Sequence, residues 1–258
     1  MRQELKYLVP EARWSWLHER LEPFVAADPH GKGPDVPSYV VRSAYLDTPG
    51  LRDFHEKEDG ILRRRKIRIR GYDQPVPGKP VFLEIKQKNE AAVWKDRAGL
   101  PAPTVAALLA GGQIQSEVPQ GMREAVGRFL FRLRSEARRP VLLVTYDREP
   151  LVGRFDPSLR VTFDRRLRCL PYPFLGPDLS GLYRDHGLVP VLAGNFVLEV
   201  KFDRMFPSWL RPILAEGGFR RQALSKYVMG LRSVASGSPW RFRGGPAVRS
   251  LSPTVSAG

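Results

Sequence analysis

The chain has 258 residues and a formal net charge of +15, because 42 lysines and arginines outnumber 27 aspartates and glutamates. This length fits one large domain or two small ones, and it is long enough to bury a substantial core. The excess of positive charge predicts an anionic partner: a nucleic acid, an acidic membrane surface or a phosphorylated small molecule. Composition alone does not distinguish these three classes.

Cysteine content and hydropathy indicate the cellular compartment in which the protein works. Cys169 is the only cysteine, so neither an intrachain disulfide nor a thiolate metal cage can form. A single unpaired thiol is typical of a reducing compartment. No stretch approaches the ~20 apolar residues that span a bilayer, and the first residues lack the apolar core of a signal peptide. We therefore expect a soluble, intracellular protein of the cytoplasm.

Hydrophobic periodicity predicts strands and helices that do not alternate strictly along the chain. The predicted strands cover residues 3–9, 39–47, 61–72, 80–88, 91–97, 140–149, 158–168 and 195–203. The predicted helices cover residues 11–24, 102–135 and 206–231, the last broken at Gly217 and Gly218. Residues 50–58 are predicted as a short charged helix or turn. This order argues against a doubly wound parallel sheet. It predicts an α+β domain over residues 1–235, with a mostly antiparallel barrel and helices packed outside. Residues 236–258 lose all periodicity, which predicts a disordered basic tail.

Four of the predicted strands carry charges on one face and apolar side chains on the other. In residues 63–72, Ile67 and Ile69 alternate with a row of cations. The charged rows are Arg64, Lys66, Arg68 and Arg70; Glu84, Lys86 and Lys88; Glu199, Lys201 and Asp203; and Glu4 with Lys6. One such strand is most simply half-buried, with its charges in water. Four of them favour a sheet curled around a charged lumen, which suits a polyanion and a divalent metal.

Several common catalytic motifs are missing from the sequence. It has neither a Walker-type phosphate loop nor a G-x-S-x-G elbow, and its four histidines stand far apart. Lysines and arginines with scattered glutamates remain. Such a set is sufficient for phosphoryl transfer, which depends mainly on positioning and charge neutralisation. A divalent cation that bridges phosphates is held by one or two carboxylates and water, and Glu4, Glu84 and Glu199 are the candidates.

Nine short blocks, in order, carry a family resemblance. They are Glu4–Tyr7, Val41–Pro49, Arg64–Tyr72, Leu83–Lys86, Val93–Arg97, Tyr146–Arg148, Arg160–Asp164, Leu198–Lys201 and Leu224–Tyr227. Together they resemble the polyphosphate polymerase (VTC) domain, a branch of the triphosphate tunnel metalloenzymes. The resemblance implies a closed, eight-stranded antiparallel tunnel that binds triphosphate or polyphosphate with Mn or Mg.

The resemblance also implies roles for individual residues. Matches to phosphate-binding basic residues are Lys6, Arg68, Arg70, Lys86, Lys95, Arg148, Arg160 and Lys226. Ser225 accompanies Lys226 in the binding set, and Lys201 joins it because strand alternation places Lys201 on the lumen face. Glu199 matches the metal-binding carboxylate, and Glu84 and Glu4 are the further predicted metal ligands.

The implied activity is metal-dependent transfer of the γ-phosphoryl group of ATP onto a growing inorganic polyphosphate chain. ATP and polyphosphate are then the partners; no specific nucleic acid is expected, and any membrane association would come through a membrane-protein partner. Hydrolytic relatives begin with an E-x-E-x-K pattern, but Arg2 replaces its first glutamate here, which favours transfer over hydrolysis. The alternatives are a tripolyphosphatase or nucleoside triphosphatase of the same fold, and a non-catalytic polyphosphate or nucleic-acid binder.

Overall fold

An antiparallel sheet organises the computed structural model, which describes residues 3–28, 38–90, 92–113, 117–203 and 205–237. The strands are β1 (Gln3–Pro10), β2 (Val25–Ala27), β3 (Tyr39–Asp47), β4 (Arg63–Tyr72), β5 (Val81–Asn89), β6 (Ala92–Leu100), β7 (Arg139–Gly153), β8 (Arg160–Pro171), β9 (Val189–Pro190) and β10 (Asn195–Phe202). The helices are α1 (Trp14–Leu21), α2 (Arg52–Glu58), α3 (Ala102–Leu109), α4 (Gln120–Ser135), α5 (Leu210–Glu216) and α6 (Lys226–Ser236).

Eight strands form a half-barrel in the order β1-β10-β8-β7-β3-β4-β5-β6. The two short strands lie off this path, β2 beside β7 and β9 beside β8. All pairs are antiparallel, as the sequence predicts. Within the described residues no hydrogen-bonded ladder joins β1 to β6. The sheet is curled, but the predicted closure of the barrel is therefore not confirmed.

Helices cover the convex face of the sheet, where its apolar side chains point. Ile67 and Ile69 of β4 belong to a buried cluster with Val126 and Phe129 of α4. A second cluster joins the apolar residues of β1, β8 and β10 to α1 and α5. Each fully buried side chain of this size contributes about 1.5–3 kcal/mol. Because these helices bury the apolar face, the charged face is left on the concave side.

Helix α6 is an exception to the prediction that helices pack outside. Tyr227 and Met229 belong to a cluster with Tyr45 and Val144, whose side chains share the sheet face of the charged residues. The approach is close, since a Cβ atom added at Gly230 would lie 2.7 Å from Leu142 Cδ2. The periodicity of α6 predicts its apolar stripe but cannot tell which side of the sheet that stripe covers.

A buried carboxylate attaches α2 and α6 to the sheet. Asp47, at the end of β3, accepts hydrogen bonds from the backbone N–H groups of Thr48, Asp53 and Phe54. The Tyr227 hydroxyl donates to Asp47 Oδ2 over 2.6 Å. All four acceptor interactions are buried, so losing any one leaves a carboxylate oxygen under-solvated.

Replacing Tyr227 with phenylalanine is expected to lower the free energy of unfolding by about 2 kcal/mol, because it deletes a buried hydrogen bond to a charged group. Urea denaturation of the two proteins measures the difference. Tyr172→Phe is the matched control, since Tyr172 is 44% exposed; it should change the free energy by less than about 0.5 kcal/mol. Equal stability of Tyr227→Phe and the parent chain would contradict the anchoring role of Asp47.

Most predicted elements agree with the structure to within a few residues. The eight predicted strands are confirmed, and the helical pattern over 102–135 corresponds to two helices, α3 and α4. Strands β2 and β9 were missed because two or three residues show no periodicity. The prediction for the tail falls almost wholly on residues outside the described ranges, as does Arg2. No helix in the described part of the chain is long and apolar enough to cross a membrane.

Candidate active site

Strand register brings the charged rows together on the concave face of the half-barrel, which we call the lumen. Arg68 lies opposite Tyr45 on one side and Glu84 on the other. Glu84 in turn lies opposite Arg97, and Lys6 lies opposite Glu199. Residues directly opposite each other in a sheet point to the same face. The predicted site residues on these strands therefore share one surface.

Glu199 is the centre of the first cluster of charges. Its Oε1 accepts from Lys226 Nζ at 2.7 Å and lies 3.4 Å from Lys6 Nζ. Its Oε2 lies 3.3 Å from Lys201 Nζ and 3.4 Å from Arg148 Nη2. Burial alone would raise the pKa of Glu199, but these four cations outweigh burial and hold the pKa well below its usual range. Glu199 is therefore a carboxylate that stays ionised.

Asp164 supports the same cluster from strand β8, and its role was not predicted. It is fully buried and accepts two hydrogen bonds from Arg148, at 2.6 Å from Nε and 2.7 Å from Nη2. Lys226 Nζ lies 2.6 Å from Asp164 Oδ2, the oxygen that also accepts from Arg148 Nη2. Together with Glu199, Asp164 outweighs burial and raises the pKa of Lys226. The signal was present in the sequence, because Asp164 follows Arg160 and Thr162 at strand spacing on the lumen face.

Glu84 is the centre of the second cluster, on β4, β5 and β6. Its side chain accepts from Arg68 Nε at 2.6 Å and lies 2.9 Å from Lys95 Nζ. The guanidinium groups of Arg97 and Arg70 lie at 3.2 and 3.8 Å. Burial would raise the pKa of Glu84, but the charges of Arg68, Arg70 and Lys95 dominate and lower it. Glu84 thus fixes the positions of several cations at once.

Glu4 connects opposite parts of the curled sheet. Its Oε1 lies 2.9 Å from Lys6 Nζ, on the same strand, and its Oε2 lies 3.3 Å from Lys86 Nζ on β5. Burial would raise the pKa of Glu4, but the charges of Lys6, Lys201 and Lys86 together outweigh it and the pKa is lowered. Since β1 and β6 are the two ends of the strand path, the Glu4–Lys86 contact spans the lumen near its open seam.

Ser225 and Arg160 lie at the margins of the set. The Ser225 hydroxyl caps α6 by accepting from Val228 N at 3.3 Å, and it accepts from Lys66 Nζ at 2.7 Å. Arg160 lies opposite Lys201 in the sheet, but its guanidinium pairs with Asp28 rather than with the clusters around Glu199 and Glu84. Lys66 was on the predicted charged face but had no predicted role.

Comparisons with known proteins identify the family. One similar solved structure is a putative adenylyl cyclase from Hippeastrum with a dominant triphosphatase activity; it is 14% identical, with 92% of this chain and 97% of that chain covered and a TM-score of 0.46. Another is the PH1819 protein of Pyrococcus horikoshii OT3, 15% identical over 90% of this chain and 99% of that chain, with a TM-score of 0.46. A search of curated proteins finds no match. The VTC domain profile matches residues 1–235, so the chain belongs to the VTC domain family.

The lumen offers a divalent cation two carboxylates at one place. No group of three or more His, Cys, Asp or Glu residues in the described ranges has the geometry of a metal site. Glu4 and Glu199, however, lie 2.9 and 3.4 Å from the same Lys6 ammonium group. Carboxylate oxygens suit Mg²⁺ and Mn²⁺, which need only one or two of them when phosphates complete the coordination. These two residues fit a cation that arrives with its phosphate ligand.

Proposed function

We propose that this protein is a metal-dependent polyphosphate polymerase, which transfers the γ-phosphoryl group of ATP onto inorganic polyphosphate in the lumen. Membership of the VTC family supports an activity on polyphosphates. The observation that carries the proposal is the way the buried Glu199, Asp164 and Glu84 hold lysines and arginines in fixed positions along one concave face. Such a surface matches the charge of a polyphosphate chain in many places at once.

The chain's own residues would act by positioning and charge neutralisation. Asp164 orients the guanidinium group of Arg148, and Glu84 orients that of Arg68. Guanidinium groups form bidentate hydrogen bonds with phosphate oxygens. Lys6 and Lys226 act as point charges on the transferred group. A terminal phosphate oxygen of the acceptor forms a bond to the γ-phosphorus, the bond to the β–γ bridging oxygen breaks, and ADP leaves. The reaction requires no nucleophile from the protein.

Glu4 and Glu199 are the residues that we propose to hold the Mn²⁺ or Mg²⁺ ion. When bound, such an ion neutralises charge on the phosphate oxygens. Glu84 was also predicted as a metal ligand. Unlike Glu4 and Glu199, it shares no cation with a second carboxylate among the described residues, so we propose that it anchors Arg68 and Lys95 instead.

The protonation behaviour of the carboxylates favours transfer over hydrolysis. Water attack needs a general base with a pKa near the working pH. The pKa of Glu199, Glu4 and Glu84 is lowered in each case by neighbouring cations, so these carboxylates are weak bases. A phosphate acceptor is already ionised and needs no base. This contrast supports the polymerase over the tripolyphosphatase or nucleoside triphosphatase alternative.

Aromatic side chains at one end of the lumen support a nucleotide as the donor. The rings of Tyr72 and Phe82 lie 5.8 Å apart, and those of Tyr72 and Tyr39 lie 5.6 Å apart. The Arg97 guanidinium stacks on Phe82 at 3.8 Å from the ring centroid. Gly99, opposite Phe82, leaves room for this ring, since a Cβ atom there would lie 2.7 Å from it. Aromatic and arginine faces of this kind stack with nucleobases.

Replacing Phe82 with alanine is expected to weaken ATP binding about tenfold, because base stacking on one ring contributes about 1–3 kcal/mol. Binding of tripolyphosphate, which has no base, should be unchanged. Titration calorimetry with both ligands measures the two dissociation constants. Phe131→Ala is the control, since Phe131 is 63% exposed on α4. Equal weakening of both ligands would assign Phe82 to structure instead of base recognition.

The stoichiometry of ATP consumption tests the proposed function. With Mn²⁺ and a short polyphosphate primer, a polymerase forms ADP in large excess over free phosphate, and primer removal slows the reaction. A hydrolase forms both products in equal amounts with or without primer. A non-catalytic binder forms neither, and it would bind duplex DNA with the steep salt dependence of phosphate contacts.

We also propose that the protein is cytoplasmic and has a membrane-protein partner. This proposal is supported by the family resemblance alone.

A further inference from the structure

Lys66 differs from the other lumen cations in what it contacts. Its Nζ donates to the Ser225 hydroxyl at 2.7 Å. Over the residues that the structure describes, Lys66 has no carboxylate within ion-pair distance. Arg64 and Lys88, which lie opposite each other farther along the charged rows, likewise have none among the described residues. The remaining lumen cations named above each have one. These are Lys6, Arg68, Arg70, Lys86, Lys95, Arg97, Arg148, Arg160, Lys201 and Lys226.

The surroundings of Lys66 are strongly positive. It lines a cleft of about 410 Å³ at one end of the lumen. The charged residues that line this cleft with it are Glu4, Lys6, Lys57, Arg64, Arg65, Lys86, Lys88 and Arg221. Among the described residues Glu4 is the only carboxylate in that lining, and both Lys6 and Lys86 already contact it. Burial lowers the pKa of Lys66 well below its usual range, and the charges of Lys6, Lys86, Lys57 and Arg68 lower it further.

We propose that Lys66 is a further phosphate-binding residue, which takes up one proton from solvent when polyphosphate enters the lumen and then pairs with a phosphate oxygen beside Ser225. In the free protein the amine donates one N–H to Ser225 Oγ, and its lowered pKa shifts it towards the neutral form. An arriving polyanion neutralises the surrounding cations, so that the amine accepts a proton from water or buffer. No covalent bond is made or broken. This inference deepens the proposed function and rests on its claim that the lumen binds polyphosphate.

The sign of the pH dependence follows from linkage. Binding raises the pKa of the Lys66 amine, so protons are taken up at any pH between its values in the free and the bound protein. In that interval the affinity for polyphosphate falls as pH rises, by about tenfold per pH unit for one proton. At lower pH the amine is already charged, and the dependence disappears.

Tripolyphosphate titrations in buffers of different ionisation enthalpy measure the proton uptake directly. We choose about pH 8.5, and any proton that tripolyphosphate itself releases on binding is common to the parent and the variants and cancels in their difference. Lys66→Arg is the informative variant, because arginine keeps its charge in proteins and can still bind phosphate. Lys66→Met removes both the titratable amine and the ability to bind phosphate. Lys79→Arg, on the exposed connection between β4 and β5, is the matched control.

The parent chain and Lys66→Arg should bind tripolyphosphate with affinities within about threefold of each other, but the variant should take up about one proton fewer. Lys66→Met should show the same loss of uptake and about tenfold weaker binding. Lys79→Arg should match the parent in both. Equal proton uptake by the parent and Lys66→Arg would overturn the inference even if both bind. If the parent chain fails to bind tripolyphosphate at all, the proposed function itself fails.

Discussion

Replacing Glu199 with glutamine is expected to lower turnover by about 1,000-fold, the largest loss that we predict for any single site. The substitution keeps the size of the side chain and removes one negative charge. Lys226, Lys6, Lys201 and Arg148 all lie within 3.4 Å of that charge in the free protein. In the proposed complex the same charge holds the divalent cation. The variant therefore loses a metal ligand and the anchor of several phosphate-binding cations together.

The measurement is the initial rate of ADP formation at saturating ATP and primer, over a range of Mn²⁺ concentrations. Removing one partner of a buried ion pair also destabilises the fold, by about 3–5 kcal/mol, so urea denaturation must show that the variant is folded under assay conditions. Glu216→Gln serves as control, because Glu216 is half exposed and pairs with the exposed Arg20. Near-normal rates for Glu199→Gln at saturating Mn²⁺ would rule out an essential role for its carboxylate.

Replacing Asp164 with asparagine is expected to lower turnover by about 100-fold, although Asp164 is fully buried and we assign it no contact with substrate. The carboxylate fixes the Arg148 guanidinium through two hydrogen bonds and holds the Lys226 ammonium group. An asparagine amide offers one acceptor oxygen in place of two, and its N–H donors face the guanidinium. Arg148 and Lys226 then lose the orientation that phosphate binding requires, so Asp164 is a positioning residue.

A positioning role makes a prediction that a purely structural role does not. The salt dependence of tripolyphosphate binding should keep its slope in Asp164→Asn, because the number of cations is unchanged, whereas the turnover number should fall. Asp147→Asn is the matched control on the neighbouring strand, since Asp147 pairs with Arg166, whose side chain is 75% exposed. A turnover number for Asp164→Asn within about threefold of the parent would show that Arg148 and Lys226 need no anchor.

Strand alternation is sufficient to predict the face of the sheet on which each charge lies. The period of two residues placed Arg68, Arg70, Glu84 and Glu199 on one face, and the register of the structure agrees. Alternation carries no information on curvature. Whether β1 meets β6 depends on twist and stagger accumulated over eight strands, and the described sheet is a half-barrel with no ladder there.

Contacts between side chains of different elements could not be predicted from the sequence. The pairing of Arg148 with Asp164 joins β7 to β8, and that of Lys66 with Ser225 joins β4 to the start of α6. Each pairing depends on the register of separate segments, which a local pattern does not encode. The pattern also leaves α6 without an assigned side. Strand alternation therefore predicts that Asp164 faces the lumen. It does not predict that Asp164 orients Arg148 and Lys226.

The phosphorus-31 NMR spectrum of the products from ATP is the most direct test of the proposed phosphoryl transfer. The parent chain is incubated with ATP, Mn²⁺ and a short polyphosphate primer, and the metal is removed before the spectrum is recorded. Transfer onto a chain converts terminal phosphates into internal ones. We predict that the signal of internal phosphates grows with the ADP signal, while orthophosphate stays minor, and that Glu199→Gln yields neither product. A spectrum in which orthophosphate accounts for all the ATP consumed, with no gain of internal phosphate under Mn²⁺ or Mg²⁺, would contradict the polymerase assignment.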